Sequence, residues 1–252
     1  MVEAVCPICD GTGWKIVERS GLSGAERCSC AEVARSRALK QDSRIPPNYQ
    51  HASLENFKIP QDNPIARDGL TRALLAVKAF VRGFPVGEPQ GLLLVGDTGV
   101  GKTHLAVAAL KSLIEKGHEG LFYDYQNLLE RIRSSYDRAA GAGDREAYGS
   151  AMECEVLLLD DLGSHRVTEW VEDTVTSIIT HRCNNRKALI ATTNLNPDDV
   201  GTVAYTTPGG TDVHKKTLLE AIGARARSRL FEMCRVVRIP AVEDYRVAKG
   251  RK

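Results

Sequence analysis

One stretch of the sequence, residues 92–106, places a glycine-rich turn between an apolar run and a helix-favouring run. Gly96, Gly101, Lys102 and Thr103 satisfy the spacing G-x-x-x-x-G-K-[ST]. Glycines let the backbone bend tightly and point several N–H groups into one concavity, while the lysine reaches phosphate oxygens and the threonine hydroxyl can ligate Mg²⁺. A chance turn is the alternative, but the strand context, the helix context and every fixed position agree. The stretch predicts a nucleoside triphosphate site, contacted by Gly96, Asp97, Thr98, Gly99, Val100, Gly101, Lys102, Thr103 and His104.

Polar side chains also follow two later apolar runs. Asp160 and Asp161 come directly after residues 156–159, and Asn194 comes two residues after the expected strand 188–192. An acidic residue at the end of a buried strand can hold Mg²⁺ beside a phosphate loop, a role we assign to Asp160. Asp161 is a candidate general base for the attacking water, and Asn194 a candidate contact to that water or to the γ-phosphate. The alternative interpretation is that the acids cap the next helix and that Asn194 is a turn residue.

Three arginines, Arg225, Arg227 and Arg229, lie close together in a late helical segment. A guanidinium offers a planar fork for phosphate oxygens. Three arginines on one helix cannot all complete the site of their own chain, so we expect one to reach the nucleotide of a neighbouring subunit. Solvent-exposed charge or a contact to DNA phosphates remains the alternative.

Four cysteines fall within the first thirty residues, as a C-x-x-C pair and a C-x-C pair: Cys6, Cys9, Cys28 and Cys30. Two thiolate pairs on tight turns can supply the tetrahedral ligand set that zinc prefers. A segment this small has little core, so zinc binding, about 10–16 kcal/mol in zinc-finger peptides, would drive its folding. A redox pair, an iron–sulfur cluster and a metal-free segment are the alternatives. Cys154, Cys183 and Cys234 carry no such pattern.

The composition, 42% hydrophobic and 26% charged over 252 residues, is typical of a globular protein with an ample core. No apolar run is long enough to cross a bilayer and no secretory signal is visible, so we expect a cytoplasmic protein without membrane contact. From residue 223 onward, nine Lys/Arg face three Asp/Glu, whereas the whole chain carries +2. This basic end favours an anionic partner, either nucleic acid or nucleotide.

Apolar runs and helical patterns alternate from residue 91 onward, which predicts a parallel sheet covered on both faces. Expected strands are 92–95, 121–123, 156–160, 188–192 and 235–239; expected helices are 31–41, 66–84, 102–116, 126–136, 169–184 and 218–231. Residues 139–143 and 201–210 are expected to be loops. We predict two domains: 1–45, a zinc-binding module with a linker helix, and 46–252, a nucleotide-binding domain.

The order of these motifs resembles that of bacterial replicative-helicase loaders of the DnaC/DnaI type, which are AAA+ ATPases. The resemblance covers nearly the whole chain and includes residues 44–49 (RIPPNY), 159–163 (LDDLG) and 228–230 (SRL). It implies a three-layer AAA+ sandwich in which the helical lid is reduced or absent. It also implies a Walker A motif at Gly96–Thr103, Walker B at Asp160 and Asp161, sensor 1 at Asn194, an arginine finger at Arg229 and sensor 2 at Arg246.

The same resemblance implies ATP, Mg²⁺ and structural zinc as cofactors, ATP sites at homo-oligomer interfaces, and delivery of the replicative helicase to single-stranded DNA. Many AAA+ ATPases have Glu at the position of Asp161, so hydrolysis by the isolated protein is expected to be slow. Arg131, Arg133 and Tyr136 on one helix are candidate DNA contacts, because basic side chains follow phosphates while an aromatic ring stacks on a base. An ordinary amphipathic surface helix explains them equally well.

Three functions remain open at this stage. The first is a helicase loader whose cysteine module faces the helicase. The second is a helper ATPase of transposition, of the related IstB type, and the third is a nucleotide-switched DNA-binding adaptor with negligible hydrolysis. A small-molecule kinase fits less well, because nothing in the sequence resembles a lid over a substrate phosphate.

Overall fold

The computed structural model describes residues 5–19, 21–60, 63–135, 142–198, 203–206, 212–214, 216–242 and 244–245. The strands are β1 (Trp14–Arg19), β2 (Leu22–Arg27), β3 (Gly91–Val95), β4 (Gly120–Asp124), β5 (Val156–Asp160), β6 (Ala188–Thr193), β7 (Val203–Thr206), β8 (Asp212–His214) and β9 (Cys234–Arg238). The helices are α1 (Ser29–Asp42), α2 (Pro64–Gly83), α3 (Lys102–Glu115), α4 (Tyr125–Ser134), α5 (Ala142–Glu153), α6 (Glu169–Asn184) and α7 (Leu218–Met233).

The central sheet has five parallel strands in the order β4-β5-β6-β3-β9. Strands β3, β5 and β6 are buried along their whole length, as expected for a parallel sheet with helices on both faces. Because the strands are parallel, the carboxyl ends of β3, β5 and β6 meet at one edge. The phosphate-loop glycines, the paired acids and the asparagine therefore come together, although about a hundred residues separate the first from the last.

Two hydrophobic cores cover the sheet. On one face, side chains of α4, α5, α6 and α7 pack on the sheet. On the other face, α2 and α3 pack together with the linker residues Ile45, Ala52 and Leu54. The result is the three-layer α/β arrangement predicted from the alternating pattern.

The amino-terminal segment forms an antiparallel hairpin, β1–β2, followed by α1. The residues at the end of α1 and just after it contact α3 and β4 at three points. Lys40 Nζ lies 2.7 Å from Glu115 Oε1 on α3, the Ser43 carbonyl accepts the Phe122 amide of β4 at 2.8 Å, and Arg44 stacks 4.9 Å from the centre of the Tyr123 ring. The domain boundary between residues 45 and 46 stays a prediction.

Three elements differ from the sequence prediction. The β1–β2 hairpin was not predicted, because most of its side chains are exposed and no apolar alternation marks it. Helix α5 includes residues 142–143 of an expected loop, and its small residues Ala147 and Ala151 are fully buried. Strand β7 lies within the segment 201–210 that was expected to be a loop, and it pairs with β8, which comes after that segment. None of the described helices is long and apolar enough to cross a membrane.

Candidate functional site

The phosphate loop joins β3 to α3 at the carboxyl end of β3. Gly99 and Gly101 have φ values of +79° and +97°, which only glycine adopts readily, and Gly101 is the residue before the first turn of α3. The Gly96 amide donates to the Thr193 carbonyl of β6 at 3.3 Å. This geometry leaves the first amides of α3 directed at the loop, the arrangement that binds phosphate groups.

Lys102 is only 6% exposed, and its Nζ donates to the Asp97 carbonyl at 2.8 Å. The ammonium group is therefore held across the loop rather than extended into solvent. In phosphate loops of this type the lysine contacts the β- and γ-phosphates of the bound nucleotide.

Asp160 is 7% exposed and lies beside the phosphate loop. Its Oδ1 accepts the Thr103 hydroxyl at 3.0 Å and the Thr192 hydroxyl at 2.6 Å. Burial raises the pKa of Asp160 to about 6; the hydrogen bond from Thr192 opposes this shift and the charge of Asp161 adds to it. The Asp160 carboxylate and the Thr103 hydroxyl, which lie 3.0 Å apart, are oxygen ligands of the kind that Mg²⁺ prefers. The residues present therefore fit a Mg²⁺ ion.

Thr192 is a candidate site residue that the sequence prediction did not assign. Its hydroxyl is fully buried; it donates to Asp160 and accepts the Asp161 amide at 2.9 Å. One side chain of β6 thus positions both acids at the end of β5. Residues 192–194 mark the strand end in the sequence, but no sequence pattern indicates the direction in which this hydroxyl points.

Asp161 and Asn194 are both exposed at the same edge of the sheet. Asp161 has a φ of +54°, a left-handed conformation in which Asp is several-fold enriched among non-glycine residues. Asn194 follows Thr193, which pairs with Val95, so it lies level with Gly96 at the start of the loop. The roles proposed for both residues, on a water molecule beside the phosphates, remain proposals.

Arg229 lies away from the phosphate loop of its own chain. It is in the last turns of α7, which lead into the amino end of β9, and this end of the sheet is opposite the loop. Its Nη1 donates to Glu232 Oε2 at 2.6 Å, and its side chain is 45% exposed. Arg225 is also exposed, whereas Arg227 donates to the Pro197 carbonyl at 2.9 Å and stacks on Phe231. The helix bends at Gly223, where φ is +79°.

Phe57 and Asp244, which the sequence prediction did not assign to the site, lie against the phosphate loop; Asp244 is two residues before the predicted sensor 2 residue Arg246. A Cβ built on Gly101 would lie 2.8 Å from Cε2 of Phe57, and one built on Gly99 would lie 2.1 Å from Cγ of Asp244. The Tyr245 amide also donates to the Gly99 carbonyl at 3.3 Å. His104 bonds through Nε2 to the Ser53 carbonyl at 3.0 Å and lies 5.7 Å from the Phe57 ring, and burial lowers its pKa. No local pattern marks these contacts.

The four amino-terminal cysteines form one cluster, in which all four sulfur atoms lie within 4.8 Å of one another. The separations are 3.8 Å between Cys6 and Cys28 and 3.2 Å between Cys9 and Cys30. Zinc–sulfur bonds of 2.3 Å in a tetrahedron place the sulfurs about 3.8 Å apart. The Gly13 amide also donates to Cys9 Sγ at 3.3 Å, the kind of support that zinc thiolates receive. The cluster therefore fits zinc.

The candidate DNA contacts are described only in part. Arg133 is exposed and Arg131 half-buried on α4, whose opposite face buries Tyr125, Leu128, Leu129 and Ile132. Tyr136, like the predicted sensor 2 residue Arg246, lies outside the described residues.

Residues 32–205 match the model of the family described as IstB-like ATP binding protein. Among curated proteins, YqaM of Bacillus subtilis is 26% identical over 84% of this chain and 61% of its own length, so the match spans less than two thirds of that relative. The replicative helicase loader DnaC of Escherichia coli is 22% identical over 75% of this chain and 76% of its own length. An ATP-binding protein of insertion sequence IS1162 from Pseudomonas fluorescens is 27% identical over 77% and 82%.

Among solved structures, a crystal structure of the DnaC helicase loader superposes with a TM-score of 0.60 and 32% identity. The match covers 77% of this chain and 100% of that chain. The residues that match the family model include strands β3 to β6, the phosphate loop and the acids of β5.

Proposed function

Because the chain belongs to the IstB-like ATP-binding family, we propose that it is an AAA+ ATPase that loads the replicative DNA helicase onto single-stranded DNA in replication initiation or restart. The observation that carries the proposal is the hydrogen bond between Asp160 and Thr103 beside a complete phosphate loop. The similarity to the crystal structure of the DnaC helicase loader, which covers 100% of that chain at 32% identity, supports it. The phosphate loop supports ATP binding, and the relatives support the choice of client.

In the proposed reaction, ATP binds with its phosphates on the amides of Gly96–Thr103, and Lys102 turns from the Asp97 carbonyl to the phosphates. Thr103 and Asp160 would hold a Mg²⁺ ion, which would neutralise part of the phosphate charge. Asp161 orients the attacking water and takes up its proton, and Asn194 contacts the water or the γ-phosphate. The short side chain of Asp161 is consistent with slow turnover by the isolated protein.

We infer that Arg229 completes the site of a neighbouring subunit, since its position near the amino end of β9 removes it from its own phosphate loop. A trans-acting arginine is worth about 10³–10⁵ in rate. An equimolar mixture of Arg229→Ala chains and Lys102→Ala chains tests this. Mixed oligomers then contain sites with an intact loop and an intact arginine, so activity should exceed the sum of the separate variants. Absence of this recovery would assign Arg229 another role.

The cysteine module is the proposed contact to the helicase, and Arg131 and Arg133 are proposed contacts to single-stranded DNA. Replacing both arginines with Ala should weaken binding to a labelled oligonucleotide while leaving ATP affinity unchanged. Replacing the exposed Arg166 and Arg186 together provides a matched loss of charge elsewhere. Equal effects of the two double variants would indicate nonspecific electrostatics.

The second candidate is a transposition helper, which the family description and the IS1162 relative favour. The third is a nucleotide-switched adaptor with negligible hydrolysis, which the short side chain of Asp161 allows. The deciding experiment is native mass spectrometry of the protein with the hexameric replicative helicase, with and without ATP. A complex that forms with ATP and is lost when residues 1–45 are deleted supports the loader. Absence of a complex while ATP is bound would redirect the search to a transposase.

A further inference from the structure

Strand β9 lies at one edge of the central sheet, and in the described part of the chain one of its sides has no partner strand. Among the described residues, its sheet partner is β3. The Ile239 amide donates to the Val95 carbonyl at 2.7 Å, so Ile239 and Val237 direct their main-chain groups toward β3. Since alternate residues of a strand direct these groups to opposite sides, the N–H and C=O of Val236 and Arg238 face the open edge.

A groove of about 400 Å³ runs along this edge between β9 and α2. Its helical wall consists of small residues, Gly69, Ala73 and Ala76, which leave room beside the strand. The groove closes at one end, where Pro240 approaches so near that a Cβ on Gly69 would lie 2.8 Å from its Cγ. A single extended chain fits such a space.

Arginine side chains surround the groove. Arg72 of α2 and Arg235 of β9 are exposed along it, and Arg238 lies on the other face of the strand. Arg72 and Arg238 have partners in Asp68 and Asp198, but all four side chains are at least 60% exposed. Exposed ion pairs of this kind are weak and exchange readily. The lining therefore favours an acidic occupant.

We propose that the edge of β9 is a docking site for an extended acidic segment of another protein, which adds to the sheet as a sixth strand. Main-chain bonds to Val236 and Arg238 provide the affinity, and acidic side chains facing Arg72 and Arg235 provide the selectivity. The alternative occupant, single-stranded DNA, is less favoured, because the described lining of the groove has no aromatic side chain on which a base could stack.

The test is fluorescence anisotropy of the full-length protein with a labelled heptapeptide of alternating Val and Glu, compared with the same peptide carrying Lys for Glu. Val236→Pro removes one amide that faces the open edge and spares the bonds to β3, whereas the matched control Val236→Ala keeps that amide. We expect Val236→Pro to weaken binding of the Glu peptide by about tenfold or more, and Val236→Ala to change it little.

Charge reversal provides the second arm. Arg235→Glu should weaken binding of the Glu peptide by about tenfold and allow the Lys peptide to bind. If circular dichroism shows that Val236→Pro is unfolded, the change in peptide preference of Arg235→Glu tests the proposal by itself. Failure of the Glu peptide to bind at about 1 mM would overturn the proposal. Arg235 and Arg238 would then serve to prevent edge-to-edge aggregation of β9.

Two further results would also overturn it. Displacement of the peptide by oligo(dT) would assign the groove to nucleic acid. Concentration-dependent self-association that Val236→Pro abolishes, in the absence of peptide, would assign the edge to a second copy of this chain.

Discussion

Replacement of Thr192 by Val tests the proposed metal site, because it removes one hydroxyl and keeps the shape of the side chain. The hydroxyl is fully buried, donates to Asp160 at 2.6 Å and accepts the Asp161 amide at 2.9 Å. The substitution leaves the phosphate loop and both acids in the sequence. Its effects therefore report on the positioning of Asp160 and Asp161.

Two energetic consequences follow from the lost hydrogen bonds. The bond to the carboxylate contributes about 1.5–3 kcal/mol, and the Asp161 amide left without a partner costs about 1–3 kcal/mol. Since Val fills the same volume, no cavity adds to this, and we expect the free energy of unfolding to fall by about 2.5–6 kcal/mol. Loss of the bond also raises the pKa of Asp160 further, which weakens Mg²⁺ binding at neutral pH. Support of this kind is worth about 10–100-fold in metal affinity.

The assay is ATPase activity as a function of Mg²⁺ concentration, together with urea unfolding. Thr192→Val should shift the Mg²⁺ dependence to about 10–100-fold higher concentration. Thr174→Val is the matched control, because Thr174 is buried on α6 and its hydroxyl bonds only to the Trp170 carbonyl at 2.7 Å within that helix. A Mg²⁺ dependence that is the same in both variants would show that Thr192 does not position Asp160.

Four further changes have defined outcomes. Arg182→Met removes a fully buried guanidinium that donates to main-chain carbonyls, including Ala151 at 2.9 Å, and should lower the urea-unfolding free energy by about 3–5 kcal/mol without changing ATP affinity. Cys9→Ser should abolish zinc retention in native mass spectrometry while urea unfolding of the ATPase domain is unchanged. Gly101→Ala, strained by its positive φ and by Phe57 at 2.8 Å, should cost more than about 1 kcal/mol in thermal unfolding. Burial lowers the pKa of His104, so its imidazole binds a proton more readily in the unfolded chain than in the folded one. The free energy of unfolding should therefore fall as the pH drops below about 6.5. The same drop in pH should lower the free energy of unfolding less in His104→Asn.

The sequence predicted the parts of the fold that short-range patterns specify. The phosphate loop follows from residue spacing, and the ends of β5 and β6 follow from apolar runs that stop at a polar side chain. Because parallel strands present their carboxyl ends at one edge, these patterns also predicted that Gly96, Asp160 and Asn194 would meet.

Contacts between distant segments could not be predicted in this way. Phe57 and Asp244 lie against the phosphate loop because of how the linker and the segment after β9 pack, and neither segment has a periodic pattern. The direction of the Thr192 hydroxyl depends on the register of β6 beside β5, which the sequence does not specify. The hairpin β1–β2 was not predicted, because it has few buried apolar side chains and therefore no alternating apolar pattern. The cysteine cluster lies at its ends.

The two edges of the central sheet are unequal, and this limits how copies of the chain can join. At β4, the central amide, that of Phe122, is already bonded to the Ser43 carbonyl, whereas the amides of Val236 and Arg238 in β9 face outward. A head-to-tail contact of β9 with β4 would continue from chain to chain as a ring or a filament, and the linker residue Ser43 obstructs it at β4. Sheet-to-sheet contact between copies is thus restricted to β9 with β9, an isologous contact that closes after two chains.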